Sequence, residues 1–358
     1  MTPSRILVLC TRRLGDVLLT TPLIRALKRA WPAARIDALT LASSAAALTG
    51  NPDLAGVITL PERASLRETL RAAGAPRRYD LALSTLYNDR PHLLALWSAG
   101  TRAGIVPPRG EPGARWKRWL ARHHAERQPV HTVVQYLLLA DALGIPRWLD
   151  VVPPKPADER GLEALLGPAR AQPYAVVHPA PLYEYKAWTL EGWRGLIRWL
   201  QAQGLRVVVT GGAAEGERAF ATRVLEGFSG DGVVNAAGRL ALAELTPLIE
   251  RARAYVGPDT SVTHLAAATG APTVTLFGPS NPVVWGPWPQ GHAGPDPGPW
   301  TMQAPLQHQR NVWIVQGLAH CVPCLLEGCA RRLDSRSLCL DELPLARVTA
   351  TLDAALRR

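Results

Sequence analysis

The sequence predicts an α/β fold with two doubly wound parallel sheets, one in each of two domains. Short apolar strands alternate with helices from Arg5 to about residue 144, and a second alternation runs from Tyr174 to Phe277. A stretch rich in Pro and Gly separates the two, which is typical of a linker. A chain of 358 residues is also too long for one ordinary core. We therefore expect two domains facing a cleft at the carboxyl ends of their strands.

The first domain opens with a buried strand, Arg5–Cys10, and residues 16–30 then place apolar side chains at helical spacing. The alternation of strands with helices predicts parallel pairing. Each helix carries the chain back to the end of the sheet at which the previous strand began. The remaining predicted elements are strands over 35–41, 56–60 and 79–84, and helices over 64–73 and 130–144. Residues 1–165 are assigned to this domain.

The second domain, residues 166–340, repeats the pattern. Residues 288–320 are rich in Pro, Gly, Gln and Trp and are expected to be irregular. A last helix is predicted over about 341–357. The other predicted strands and helices lie over 174–178, 190–203, 206–210, 215–227, 232–236, 242–252, 253–256, 260–269 and 273–277.

The composition is that of a basic globular protein. Apolar residues make up 47% of the chain and the net charge is +11, so acidic partners are expected: phosphorylated sugars, an anionic membrane face or nucleic acid. The apolar run at residues 6–10 is too short for a signal peptide, and none approaches the roughly 18–20 residues of a membrane span. We therefore expect a cytoplasmic protein.

A short motif, Arg13-Leu14-Gly15-Asp16, joins the first strand to the first helix. Gly15 allows a tight turn and leaves room for a ligand. Asp16 is a candidate general base. The structural alternative is that Asp16 caps the helix, and the two roles are compatible because a capping carboxylate keeps one free oxygen.

Lys186 is a candidate contact for a diphosphate. It follows the strand that ends at His178-Pro179, and it is one of only four lysines among 40 basic residues. Where arginine dominates, a retained lysine suggests a need for a compact, mobile ammonium. An exposed loop lysine is the ordinary alternative.

The turn Thr210-Gly211-Gly212 precedes Glu215 and Glu217. Glycines allow the close approach of a nucleotide, and a carboxylate at the helix start suits ribose hydroxyls. A Gly-Gly pair is more often only a turn. The chain has neither G-x-G-x-x-G nor G-x-x-x-x-G-K-[ST], which argues against hydride transfer and P-loop phosphoryl transfer.

The strongest candidate site lies within residues 257–270. Three polar residues, Asp259, Thr260 and Ser261, open a helix of small apolar residues that closes at a glycine. The start of such a helix offers free N–H groups and a positive dipole end to phosphate. His264 lies one turn further on, near the same spot. The structural alternative is a capped helix with a core histidine.

Four cysteines near the carboxyl end raise the question of a metal site. Zinc ribbons use paired C-x2-C knuckles, and this segment has only one. Buried, reduced thiols are the favoured alternative, and no metal ligands are assigned. The cysteines are Cys321, Cys324, Cys329 and Cys339, with His308 and His320 nearby.

Residues 115–122 combine basic and aromatic side chains. Such a segment suits anionic lipid headgroups or an acidic acceptor, and a solvated basic helix face is the ordinary alternative. Nucleic acid fits the composition too, but no recognition module surrounds the segment.

Taken in order, the motifs resemble those of the bacterial lipopolysaccharide heptosyltransferases, glycosyltransferase family 9. Two positions depart from the family pattern: Ser261, where Gly is usual, and Ala180-Pro181-Leu182, where a Gly-Ala-Ser/Thr turn is common. The matching stretches cover nearly the whole length: Arg5–Thr40, His178-Pro179 with Lys186-x-Trp188, Val208–Gly212, Gly257-x-Asp259-Thr260 with His264, and Leu276-Phe277-Gly278-Pro279.

The resemblance implies the GT-B architecture, with two Rossmann-like domains and the terminal segment 341–358 packing back on the first. It implies an inverting, metal-independent transfer of a heptose from ADP-heptose to the phosphorylated inner core of lipopolysaccharide, without a cofactor. By analogy Asp16 is the base and Lys186 contacts the diphosphate. The nucleotide sugar is expected at Gly211, Gly212, Glu215, Glu217, Asp259, Thr260, Ser261 and His264, and the acceptor at Arg12, Arg13 and Gly15.

The expected partners are therefore a nucleotide sugar, a core acceptor and, peripherally, an anionic membrane at the cytoplasmic face, but no nucleic acid. Two alternatives stay open. One is a GT-B transferase with a different nucleotide-sugar donor or core acceptor. The other is a non-catalytic basic binding protein, which steep salt-dependent binding to nucleic acid without affinity for an ADP-sugar would indicate.

Overall fold

The computed structural model describes residues 2–294 and 296–357, which form two compact units. The first unit extends to Pro154 and also includes Ala293–Gly298, whereas the second comprises Lys155–His292 and the chain from Pro299 onward. The predicted boundary after residue 165 lies later in the chain than this division.

The difference arises at the helix Arg160–Leu166, which packs in the second unit. Glu159, just before it, forms an ion pair of 2.6 Å with Arg251. The Leu166 carbonyl accepts a hydrogen bond of 2.9 Å from the Arg206 guanidinium. These long-range contacts attach the helix to a sheet that begins after it.

The first unit is built on one parallel sheet. Its strands pair in the order β3-β2-β1-β4-β5-β6, so the order reverses between β1 and β4. Open α/β sheets bind ligands at such a switch point, beyond the carboxyl ends of the strands. The strands are β1 (Arg5–Cys10), β2 (Arg35–Leu41), β3 (Gly56–Leu60), β4 (Tyr79–Ser84), β5 (Ala99–Val106) and β6 (His123–Glu126).

The helices of the first unit follow the predicted alternation, with one break. The predicted helix over 16–30 is two helices, because the Thr20 and Thr21 hydroxyls bond to the carbonyls of Val17 and Leu18 at 2.6 and 2.7 Å, and Pro22 has no N–H to continue the ladder. The helices are α1 (Leu14–Leu18), α2 (Thr21–Ala30), α3 (Leu66–Ala73), α4 (Asp89–Ser98), α5 (Ala114–Leu120) and α6 (Thr132–Ala142), with a 3₁₀ helix over Ala42–Leu48.

The second unit is built on a seven-stranded sheet in the order β12-β13-β11-β10-β7-β8-β9, parallel except for the edge pair β12 and β13. Its switch point lies between β7 and β10, which are hydrogen-bonded neighbours. The strands are β7 (Tyr174–Val177), β8 (Arg206–Val209), β9 (Val233–Asn235), β10 (Ala254–Pro258), β11 (Thr273–Phe277), β12 (Leu306–Gln309) and β13 (Val312–Gln316).

The helices of this unit are α7 (Arg160–Leu166), α8 (Leu190–Ala202), α9 (Glu215–Leu225), α10 (Leu242–Glu250), α11 (Ser261–Thr269), α12 (Pro282–Trp285), α13 (Leu338–Asp341) and α14 (Leu345–Leu356), and 3₁₀ turns cover Gly167–Ala171 and Glu184–Lys186. None of the helices in the described residues is long and apolar enough to traverse a bilayer.

The terminal helix α14 corrects one expectation. It was expected to pack back on the first domain, but its buried face belongs to the core of the second unit. Val348, Leu352 and Ala355 are each at most 1% exposed there. Their helical spacing turns one apolar stripe toward β10, β11 and β13.

Residues 288–320 are not wholly irregular, because β12 and β13 lie within them. The β13 sequence, Val-Trp-Ile-Val-Gln, is a short β-branched and apolar run of the kind that forms buried strands, but it was hidden by its Pro- and Gly-rich surroundings. The predicted α/β class with two doubly wound sheets is confirmed.

Candidate active site

Two loops meet at the switch point of the second sheet, one after β7 and one after β10. The Lys186 ammonium donates a hydrogen bond of 2.6 Å to Oδ2 of Asp259. Asp259 is buried, and the Lys186 side chain is only 22% exposed. The alternative that Lys186 is an exposed loop lysine is therefore wrong.

The environment of Asp259 keeps it ionised. Burial by itself would raise the pKa of this carboxyl, but the Lys186 charge, the His264 side chain and hydrogen bonds from Lys186 and Ser280 outweigh burial and lower the pKa below its ordinary value. A buried carboxylate thus holds a partly buried cation in one position.

The start of α11 lies next to this ion pair. Thr260 occupies the N-cap position, and its hydroxyl accepts a hydrogen bond of 3.4 Å from the Thr263 N–H. The Thr263 hydroxyl in turn donates to the Pro258 carbonyl at 2.6 Å. The cap alternative is therefore correct for the Thr260 side chain, and Ser261 begins the helix, where the first N–H groups have no partner inside it.

His264 is buried with an unsatisfied ring nitrogen. It is 6% exposed, and its Nδ1 makes no hydrogen bond within the described residues. Burial lowers the pKa of His264 to about 4, so the ring is neutral near pH 7. A buried polar atom without a partner is costly, and its electrostatic coupling to Asp259 and Lys186 places it at the same site.

The glycine turn after β8 is closed by one of the predicted carboxylates. The Gly212 N–H donates a hydrogen bond of 2.7 Å to Glu217, and a Cβ at Gly212 would lie 2.8 Å from the same carboxylate. Glu217 thus stabilises the turn itself, in agreement with the alternative that the Gly-Gly pair is only a turn. Glu215 stays exposed at the first position of α9, and Gly211 packs against Ala237.

The carboxyl-terminal segment packs against both loops of the ion pair, which the sequence analysis missed. The buried Ser337 hydroxyl donates a hydrogen bond of 2.7 Å to the Tyr185 carbonyl, next to Lys186. The Leu325 N–H donates at 2.9 Å to the Pro279 carbonyl, next to Ser280. The sequence analysis weighed this segment only for its cysteine spacing, which does not show what the segment contacts.

The four carboxyl-terminal cysteines are free thiols. The expectation of buried thiols is wrong for Cys321 and Cys329, which are exposed, whereas Cys339 is buried. Burial, together with the other three thiols, raises the pKa of Cys339 to about 12. Within the described residues no three His, Cys, Asp or Glu side chains are grouped to hold a metal.

In the first unit, Asp16 follows β1 at the switch point. It is the third residue of α1 and 7% exposed. Arg13 occupies the N-cap position and its own side chain makes no capping hydrogen bond. Backbone hydrogen bonds from Arg13 and Asp16 act on the Asp16 carboxylate, so the alternative that Asp16 caps the helix is compatible with the structure. Gly15 has helical backbone angles and does not lie in the left-handed region. The expectation that a glycine is needed here for a tight turn is therefore wrong.

Asp16 lies in a setting opposite to that of Asp259. Burial raises the pKa of Asp16, while Arg12, Arg13 and backbone N–H groups oppose this rise only in part. Nε of Arg12 lies 3.5 Å from Oδ1 of Asp16. That oxygen is buried and makes no hydrogen bond within the described residues. A carboxylate with a raised pKa is a suitable proton acceptor.

Two fully buried groups lie near Asp16. Burial and the Asp16 charge raise the pKa of the Cys10 thiol to about 12. Burial, Cys10 and Asp16 likewise raise the pKa of the Tyr136 phenol. Both groups stay neutral near pH 7 and place no charge beside Asp16, and the cations that lower its pKa are Arg12 and Arg13. Tyr136 comes from α6 and was missed by the sequence analysis.

Comparison with known proteins agrees with these features. A family model described as glycosyltransferase family 9 (heptosyltransferase) matches residues 75–293, a range that contains Lys186, Asp259 and His264 but begins after Asp16. The chain is 30% identical to lipopolysaccharide heptosyltransferase 1 of Pseudomonas aeruginosa over an aligned length of 380 residues, and the alignment covers 98% of both chains.

Two further similarities extend this result. The chain is 28% identical over 299 residues to lipopolysaccharide heptosyltransferase 3 of Escherichia coli K12, covering 76% of this chain and 82% of the relative. The solved structure of the E. coli ADP-heptose lipopolysaccharide heptosyltransferase II superposes with a TM-score of 0.72 at 20% identity, covering 99% of this chain and 98% of that one. The predicted GT-B fold is therefore confirmed.

The ion pair predicts a measurable change in proton affinity. Replacing Lys186 by Met removes the ammonium and keeps an unbranched side chain. We expect the pKa of Asp259 to rise above its ordinary value of 3.8, because burial is the largest influence left. Carboxyl ¹³C shifts of labelled aspartates, titrated with pH and assigned with Asp259→Asn, give this pKa. Lys155→Met, an exposed lysine, is the control, and an unchanged Asp259 titration in Lys186→Met would contradict the assignment.

Proposed function

The chain belongs to glycosyltransferase family 9, the heptosyltransferases, and we propose that it transfers a heptose from ADP-heptose to the inner core of lipopolysaccharide with inversion at the anomeric carbon. The observation that carries this proposal is the buried Lys186–Asp259 ion pair at the start of α11. It is a preorganised cation beside a helix N-terminus, which is what a leaving diphosphate requires.

The donor diphosphate binds, in this proposal, at the start of α11. The N–H groups of the first helical turn and the Ser261 hydroxyl contact phosphate oxygens. Nδ1 of His264 has no partner within the described residues, and a ligand hydroxyl would satisfy it. The adenosine fits the glycine turn, where Gly211 and Gly212 present backbone and Glu215 offers a carboxylate to the ribose. The E. coli structural neighbour is named as an ADP-heptose lipopolysaccharide heptosyltransferase, and that name supports this donor.

Asp16 acts as the general base. Its carboxylate takes the proton of the acceptor hydroxyl, whose oxygen then forms a bond to the anomeric carbon while the bond from that carbon to the ADP oxygen breaks. The electron pair leaves with the diphosphate, and Lys186 and the α11 terminus stabilise the added charge. Donors of this kind contribute about 10²–10³ each in rate, and a general base about 10²–10⁴.

The acceptor is phosphorylated, and the exposed Arg12 and Arg13 are assigned to its anionic groups. The diphosphate is neutralised by the ammonium and the helix dipole, so the proposal assigns no residue to a metal. Since the core acceptor is joined to a lipid, we place the reaction at the cytoplasmic face of a membrane. The family relationship and the geometry of the site argue against a non-catalytic basic binding protein.

The direct test is a panel of donors with the purified protein. We expect ADP-heptose to support transfer to a heptose-accepting inner core, and ADP-glucose and UDP-glucose to be poor substrates. Asp16→Asn should keep its affinity for ADP while kcat falls about 10²–10⁴-fold, because the amide accepts no proton. Asp53→Asn, which removes a partly buried carboxylate paired with Arg25, is the control. Full activity of Asp16→Asn would remove Asp16 from the mechanism, and preference for another donor would reassign the substrate.

The pH dependence of kcat/KM should show the perturbed base. Activity should fall on the acidic side as Asp16 is protonated, with an apparent pKa above the ordinary aspartate value because burial raises it. Arg12 lowers the pKa of Asp16, so Arg12→Ala should move this acidic limb to higher pH. Arg5→Ala, at the opposite end of β1, should not move it. An acidic limb that stays in place or moves to lower pH in Arg12→Ala would contradict the assignment.

Lys186 should discriminate ADP from adenosine. Lys186→Ala should weaken ADP binding about tenfold or more, because a charge-assisted hydrogen bond is lost, and should leave adenosine binding unchanged. The double variant Lys186→Ala with Asp259→Asn also removes the uncompensated Asp259 charge, which repels phosphate. Isothermal titration calorimetry measures all of these affinities. Equal ADP affinity in wild type and the double variant would exclude a phosphate contact by Lys186.

A further inference from the structure

Beyond its first turn, which exposes Asp89 and Arg90, helix α4 of the first unit is apolar on both faces. Its inner face contains Leu94 and Ala95, which are at most 4% exposed, whereas Leu93 and Leu96 on the outer face are 51% and 41% exposed. A helix at the surface of a water-soluble protein normally has a polar outer stripe. The outer face of α4 is therefore suited to an apolar partner.

The neighbouring helix α5 exposes a tryptophan among arginines. Trp119 is 79% exposed, and Arg115 in the same helix and Arg122, two residues after its end, are also exposed. Residues 114–122 contain four basic side chains and no acidic one, although Lys117 is buried and Arg118 pairs with Glu126. The surface of this helix is consequently both aromatic and cationic.

The two helices lie side by side. The buried Lys117 ammonium of α5 forms an ion pair of 2.7 Å with Asp89 at the start of α4. The Trp116 and His92 rings contact edge to face at 6.4 Å between centroids. Lys117 and Trp116 thus join the helices, and the solvated-face alternative for residues 115–122 holds only for the outward side chains.

An apolar cavity adjoins the outer face of α4. It has a volume of about 390 Å³ and lies between α3 and α4. Leu93, Leu94, Leu70 and Ala64 line it, together with Asp89 and Arg90. The exposed Leu93 thus borders a space that can accept further hydrocarbon.

We propose that this surface, made of the outer faces of α4 and α5, docks on an anionic lipid bilayer. The inference rests on the proposed function, because the core acceptor is anchored in a membrane. Tryptophan prefers the bilayer interface, where its ring is partly apolar and partly hydrated. Leu93 and Leu96 enter the acyl boundary, and Arg115 and Arg122 contact anionic headgroups. Charge complementarity favours a bilayer over a second copy, because two copies of this basic surface repel each other.

The experiment is cosedimentation of the full chain with vesicles of phosphatidylcholine, with and without phosphatidylglycerol. Binding should require phosphatidylglycerol and decrease with salt. Arg115→Ser with Arg122→Ser should weaken it about fivefold per arginine. Trp119→Ser, and separately Leu93→Ser with Leu96→Ser, should weaken it about tenfold or more. Leu306→Ser, which changes a half-exposed leucine of the second unit, is the control and should bind as wild type does.

Two results would overturn the proposal. One is wild-type binding that is absent, or that the α4 and α5 variants leave unchanged. The other is a concentration-dependent dimer in sedimentation velocity that Trp119→Ser abolishes, which would assign the surface to a second copy. Transfer to a core oligosaccharide freed of its lipid tests the proposed function separately. The docking variants should keep wild-type kcat/KM with this acceptor. If the wild-type protein binds vesicles but does not transfer to this acceptor, the result contradicts the proposed function and leaves the docking surface in place.

Discussion

The second unit depends on one electrostatic constraint, the buried ion pair of Lys186 and Asp259. Burying an unpaired carboxylate costs several kcal/mol, so Asp259 stays ionised only while the ammonium lies 2.6 Å away. The same contact fixes Lys186, whose flexible side chain would otherwise sample many rotamers. A phosphate that binds here meets a cation whose position is already determined, and no free energy is needed to organise it at the moment of reaction.

Strand order brings this pair together. Lys186 follows β7 and Asp259 follows β10, strands far apart in sequence that pair directly at the switch point. The carboxyl-terminal segment then holds both loops from outside, through Ser337 at Tyr185 and Leu325 at Pro279. In the first unit β1 has the equivalent position next to β4, and Asp16 follows it. Each chemically distinctive group thus lies where its own sheet reverses order.

Much of this was predictable from sequence, for a physical reason. The alternation of apolar runs determines local structure, and a polar turn after a buried strand indicates a site, so Asp16 and Asp259 were selected. Lys186 was selected because lysine is scarce among the basic residues of this chain. Contacts between segments far apart in the chain were not predictable, because sequence spacing does not show that Ser337 bonds to the Tyr185 carbonyl. The position of α14 was missed for the same reason, since an apolar stripe does not specify which core it joins.

The two aspartates show how one side-chain type can serve two purposes in the same chain. Burial acts on both, and the outcome is decided by the neighbours: an ammonium in direct contact lowers the pKa of Asp259, whereas the more distant, half-exposed Arg12 fails to offset burial at Asp16. Environments that push two carboxyl groups in opposite directions separate a fixed charge from a group that can exchange a proton. Cys10 and Tyr136 strengthen this difference, because neutral, buried neighbours offer no charge to stabilise the Asp16 carboxylate. This difference supports the proposal that Asp16 accepts the proton, and Asp259 keeps the cation in place.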